Sequence, residues 1–171
     1  APIQVYIDPT LKRIYKQYVR LIRRLRDLDL VTFTQNRKEE AGVFFVKKTD
    51  DKIRLILDAR RSNRCFLSPP GVSLATCETL ARIEILGPGG LEPDSPELQE
   101  WFSHYPACLG IGDVENCFHR LKISKGFSEW FCLPLVRARD VGLEGSYLSG
   151  VLLTGDSCVY PCPSALPMGC S

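Results

Sequence analysis

Val43-Phe44-Phe45-Val46-Lys47-Lys48-Thr49-Asp50-Asp51-Lys52-Ile53-Arg54-Leu55-Ile56-Leu57-Asp58-Ala59-Arg60-Arg61-Ser62-Asn63 is the stretch whose reading decides the fold. Two short β-rich runs, residues 43–48 and 52–58, flank the polar Thr49-Asp50-Asp51, which is the pattern of a β-hairpin. With the turn centred on Asp50-Asp51, Lys47 and Arg54 stand opposite each other with their side chains on one face. Two cations on one rigid ribbon can clamp a polyphosphate, Arg by its planar fork and Lys as a point charge. A merely solvated basic face is the competing reading of the same residues.

Working outward, Leu11, Ile14, Tyr15, Tyr18, Leu21, Ile22 and Leu25 recur at three- and four-residue steps with Lys and Arg between them. This spacing predicts one amphipathic helix from Pro9 to Leu28 with a basic outer face. Ser73 can cap a helix to about Glu84, and Gly87 to Pro96 is too rich in Gly and Pro for regular structure. Further on, Trp130 to Val136 reads as a strand and residues 147–160 as a hairpin around Gly155-Asp156. A helix followed by hairpins, without βαβ alternation, predicts an α+β domain with a mostly antiparallel sheet and flanking helices.

The 171 residues are 44% hydrophobic and 25% charged, which excludes disordered and fibrous classes. The longest apolar runs fall far short of the roughly 20 residues that cross a bilayer, so no membrane partner is expected. Residues 1–64 carry 16 Lys+Arg against 8 Asp+Glu, and residues 65–171 carry 6 against 12. A basic half beside an acidic one points to a polyanion contact in the first and a cation site in the second, with a solvated basic helix as the alternative. Eight cysteines occur without a Cys-x-x-Cys pair, a signal peptide or an Asn-x-Ser/Thr sequon. Reduced thiols in an intracellular compartment, mostly small buried hydrophobes, are therefore expected over disulfides or zinc.

Two further segments carry chemistry. Leu109 to Leu121 places Asp113 at the end of an apolar run, where a carboxylate needs a compensating cation such as Mg²⁺, or else caps the next short helix. Ala165-Leu166-Pro167-Met168-Gly169 is a turn whose glycine permits close backbone approach to a ligand.

In order and spacing these segments resemble the reverse transcriptases of retrotransposons and related retroelements. Lys47, Arg54, Asp58, Arg60 and Asn63 are similar to that family's fingers motif, and Ser68-Pro69-Pro70 to its entry into the palm. Asp113 matches the first catalytic aspartate, Phe118 the aromatic residue that blocks a ribose 2′-hydroxyl, and Leu166-Pro167-Met168-Gly169 the Leu-Pro-x-Gly motif, with Met168 where many members have Gln. The resemblance covers about Leu30 to Ser171 and implies a fingers-like part over residues 1–72 and a partial palm over 73–171, truncated at the C-terminus.

It implies RNA-directed DNA synthesis on an RNA or DNA template–primer from deoxynucleoside triphosphates, using two Mg²⁺ (or Mn²⁺) ions. Asp113 and the carbonyl of Val114 would be metal ligands, and Lys47, Arg54, Phe118, Met168 and Gly169 would contact the nucleotide. Because a Tyr-x-Asp-Asp motif is absent from the 171 residues, the chain alone is expected to be inactive. The competing expectation is a degenerate, non-catalytic nucleic-acid-binding remnant of a retroelement. An RNA-directed RNA polymerase is disfavoured by Phe118, since such an enzyme must admit a 2′-hydroxyl.

Overall fold

The computed structural model describes residues 3–48, 52–67, 71, 76, 78–79, 82–83, 89, 94–105, 110, 112–115 and 117–167. Packing divides the chain into two compact units, residues 1–69 with 116–171, and residues 70–115. This is a different cut from the functional division at residue 72 expected above.

In the first unit, Asp8 starts helix α1 (Pro9–Arg13) by accepting hydrogen bonds from the Thr10 and Leu11 amides, with Pro9 in the first turn. The single helix expected over Pro9–Leu28 is broken at Ile14 (φ −115°, ψ 88°), and α2 runs Tyr15–Asp27. No proline or glycine marks the break. The segment leading into α1 is tied to the hairpin, the Asp8 amide donating to the Val43 carbonyl at 2.8 Å. Ile14 turns out to 48% exposure, while Leu11, Tyr18, Val19, Ile22 and Leu25 stay buried.

Three antiparallel strands, β1 (Val31–Thr34), β7 (Cys158–Pro163) and β4 (Val136–Arg137), form a sheet with β7 in the middle. Prolines are unusual in a central strand because each removes a donor. Here the Pro161 carbonyl accepts the Leu133 amide at 2.8 Å. The side of β7 where Pro161 lacks its N–H therefore faces away from β1, beyond the two residue pairs shared with β4. Helix α2 covers this sheet, and Ile22, Phe131, Leu133, Val136 and Val159 form the fully enclosed centre of the core.

β2 (Gly42–Lys47) and β3 (Ile53–Asp58) make the expected hairpin, as a separate two-stranded ribbon. Gly42 is obligatory there, because a Cβ would sit 2.0 Å from the Tyr6 carbonyl oxygen where the N-terminal segment crosses the strand. Short helices follow at α3 (Arg60–Asn63), α5 (Cys117–Arg120) and α6 (Lys125–Ser128), the second unit contributing α4.

The strand expected over Trp130–Val136 is instead a 3₁₀ turn (Glu129–Phe131), a stretch of consecutive buried residues ending at Pro134, and the two-residue β4. Phe131, Cys132 and Leu133 are all enclosed, so the period-2 alternation of a half-buried strand is absent. The hairpin expected around Gly155-Asp156 closes earlier, as β5 (Tyr147–Leu148) and β6 (Val151–Leu152). Ser149 (φ 51°) and Gly150 (φ 83°) turn it, the two positive φ values that a tight hairpin turn demands. The Gly155-Asp156 turn, held by the Thr154 amide on Ser157 Oγ at 2.9 Å, delivers the chain into β7.

Beneath β1 lies a buried polar cluster. Glu129 accepts from Thr34 Oγ1 and Asn36 Nδ2, both at 2.9 Å, with Lys38 Nζ at 3.7 Å. Cys132 and Cys162 are buried free thiols, whereas Cys65, Cys117 and Cys158 are exposed. The expectation that most cysteines are buried is thus corrected for the described ones.

In the second unit, α4 (Pro96–His104) begins where a loop was expected, with Ser95 Oγ accepting the Leu98 amide at 3.1 Å. Trp101 packs on Phe102 and Tyr105 with ring centroids 5.1 and 5.2 Å apart. The helix expected over Ser73–Glu84 lies largely outside the described residues.

Candidate nucleic-acid interface

The ribbon's register corrects the expected pairing of its cations. Lys47 lies opposite Ile53, and Arg54 opposite Val46. The Lys48 amide donates to the Lys52 carbonyl at 2.7 Å, one residue out of step with the expected pairing. Because side chains alternate along a strand, this one-residue slip puts Lys47 and Arg54 on opposite faces. The same slip gathers Lys48, Lys52 and Arg54 on one face, all exposed. Lys48 and Lys52 were missed in the sequence, where only the loop length, which composition does not determine, could have revealed them.

At the other end the ribbon is locked. Arg60 grips the Asp58 carboxylate with two bonds, Nε to Oδ1 at 2.8 Å and Nη2 to Oδ2 at 2.7 Å, and the Tyr6 amide donates to Oδ2 at 2.8 Å. The Arg60 hydrogen bonds, helped by those amides, hold the Asp58 carboxyl down at about 2 against the desolvation that opposes them. Asp58 and Arg60, part of the fingers resemblance, are thus an internal brace. Arg61 pairs with Glu39 at 2.7 Å, and Ser62 donates to the Trp130 carbonyl.

Other cations line the outer face of α2. Lys16, Arg20 and Arg24 recur at four-residue steps and are exposed, forming one stripe. Arg23 and Arg26 are occupied with the carbonyls of Asp140 and Val141.

The hairpin, the end of the segment over residues 109–121 and the C-terminal turn meet at one point of the first unit. A small apolar hollow of about 50 Å³ is lined by Leu55 and Leu57 of β3, His119 of α5, and Leu166 and Pro167 of the C-terminal turn. The Leu166 amide donates to the Leu121 carbonyl at 2.8 Å, and Lys122 bridges to Ala165. Phe118, on α5, is 39% exposed. Met168 and Gly169 lie outside the described residues.

Asp113 and Val114 belong to the second unit. They lie in irregular chain and are exposed; the apolar run expected to lead into Asp113 falls largely outside the described residues. Among the described residues no three His, Cys, Asp or Glu side chains stand together as a metal site. The described residues therefore do not make up a two-ion centre. An exposed single carboxylate offers Mg²⁺ little against its water shell.

No family model, curated protein or solved structure matches the chain. Among the described residues no helix is long and apolar enough to cross a membrane.

Proposed function

We propose that this chain is the fingers and partial palm of an RNA-directed DNA polymerase, contributing surfaces for template–primer and deoxynucleoside triphosphate. The observation that carries the reading is the meeting of three separated motif segments, through Leu55 and Leu57, His119, and Leu166 and Pro167, on one hollow at one face of the ribbon whose other face carries Lys48, Lys52 and Arg54. In this reading Arg54, with Lys48 and Lys52, takes phosphate oxygens, and the Lys16-Arg20-Arg24 stripe follows a backbone in a salt-dependent, sequence-independent way. The resemblance gives Phe118 the role of excluding a 2′-hydroxyl, and its 39% exposure leaves the ring able to meet a sugar. The metal ions of such enzymes clamp the attacking and leaving oxygens. The described residues fall short of that site, and the 171-residue chain is expected to give no primer extension by itself.

A second reading, a non-catalytic nucleic-acid-binding module, is favoured by the exposure of Asp113, which joins no group of three metal-ligating side chains among the described residues. The two part company in a binding experiment. Fluorescence anisotropy with a labelled template–primer and Mg²⁺ should tighten severalfold on adding the next complementary deoxynucleotide and not its ribonucleotide. Phe118→Val should abolish that difference. Binding that ignores both nucleotides assigns the chain to the second reading.

A further inference from the structure

A cleft of about 530 Å³ opens between β1 and the β5–β6 hairpin, sharing Pro163 with the hollow described above. Its floor is apolar, with Phe33, Leu143, Leu148 and Leu153, and two cations, Lys122 and Lys125, stand among its lining residues. Among the described residues no carboxylate lines it. Both lysines reach only neutral oxygens, Lys122 Nζ the Asp29 carbonyl at 3.5 Å and Lys125 Nζ the Ser149 hydroxyl at 2.6 Å. An apolar pocket of this size with a few convergent polar groups is the usual form of a ligand site. Its charge asks for an anion.

The lining also holds Ser146, while the hydroxyls of Ser128 and Ser164 already donate to the Lys125 and Asp29 carbonyls. An acyl chain would cover the Ser146 hydroxyl without offering it a partner, which costs free energy. A nucleobase edge carries donors and acceptors that meet it. Tyr147, also in the lining, is 73% exposed and offers a ring face on which a base can stack.

We infer that this cleft holds one unpaired nucleotide of a single strand, its base over the apolar floor beside Tyr147 and its flanking phosphates on Lys122 and Lys125. The inference rests on the proposed nucleic-acid-binding function but adds a site outside the ribbon and the α2 stripe. It is tested by photocrosslinking a 5-iodouracil-substituted oligodeoxynucleotide to the whole chain and mapping the adducts by mass spectrometry. Adducts are expected within residues 143–153, and Tyr147→Ala should remove them while the melting temperature stays put. Lys122→Glu with Lys125→Glu should weaken oligonucleotide binding about tenfold, whereas Arg54→Ala should leave the cleft adducts in place. Oligonucleotide binding with no adduct in 143–153, and unaltered by the lysine exchanges, would overturn the cleft assignment and leave the proposed function standing. Failure of the chain to bind any oligonucleotide would remove both. Decanoate should not compete for the cleft; loss of the adducts on adding it would reassign the pocket to an acyl anion.

Discussion

The two ends of the β2–β3 ribbon are built on opposite principles. At the root, Gly42, Val43, Asp58 and Ala59 are buried, the N-terminal segment crosses directly over Gly42, and Asp58 is held by an arginine fork and a backbone amide. At the tip, Val46, Lys47, Lys48, Lys52, Ile53 and Arg54 are exposed, Ile53 to 68%. Burial with complete hydrogen bonding fixes the direction in which a ribbon projects. Exposed cations at its far end gain little stability from one another. The root is therefore where substitution changes folding, and the tip is where it changes binding.

Gly42→Ala is the sharpest way to break the root. A Cβ 2.0 Å from the Tyr6 carbonyl oxygen cannot be accommodated unless backbone moves. A loss of roughly 2–4 kcal/mol, on the scale of core overpacking, is expected in chemical denaturation. A loss under about 0.5 kcal/mol would mean that the N-terminal segment does not cross there.

Asp58→Asn comes next, because it removes the charge that Arg60 and the Tyr6 amide serve. The Asp58 carboxyl lies at about 2 in the folded chain against 3.8 for the free group. Its contribution is thus fully present above pH 3.8 and is lost as pH falls from there through 2. That depression corresponds to about 2 kcal/mol at neutral pH. Stability curves of the parent and Asp58→Asn should run apart at pH 6 and converge toward pH 2. Parallel curves would show that the brace contributes nothing through its charge.

At the tip the expectation inverts. Arg54→Ala should leave stability within about 0.5 kcal/mol of the parent, as surface exchanges do, yet weaken oligonucleotide binding several-fold. Lys48→Ala and Lys52→Ala should weaken it less, since a lysine contact lacks the bidentate fork. Lys47→Ala should change it least of the four, being on the face shared with Ile53. An effect of Lys47→Ala equal to that of Arg54→Ala would contradict the register of the ribbon.

The sequence made the hairpin legible because β-rich runs and a polar turn are local signals, and α2 legible because its apolar spacing is. The register was not, since Thr49-Asp50-Asp51 accommodates a two- or three-residue loop and the choice decides which cations share a face. The break at Ile14 carries no proline or glycine, so no local signal in the sequence announces it. Helix α4 was hidden by the Gly/Pro-rich stretch before it, although Ser95-Pro96-Glu97 is a readable start signal. For the candidate site, the hairpin, the segment ending at Leu121 and the Leu166-Pro167 turn could be singled out in advance. That Leu57, His119 and Leu166 would meet could not, because their meeting is purely tertiary.

The most direct test of the central claim is the salt dependence of single-stranded oligonucleotide affinity, for the parent and for a variant combining Lys48→Ala, Lys52→Ala and Arg54→Ala. The parent should lose affinity steeply between about 50 and 200 mM salt, and the variant's log–log slope should be shallower by about 2, as three lost phosphate contacts require. Identical slopes, or parent binding that ignores salt, would contradict the assignment of the ribbon tip to a nucleic-acid backbone.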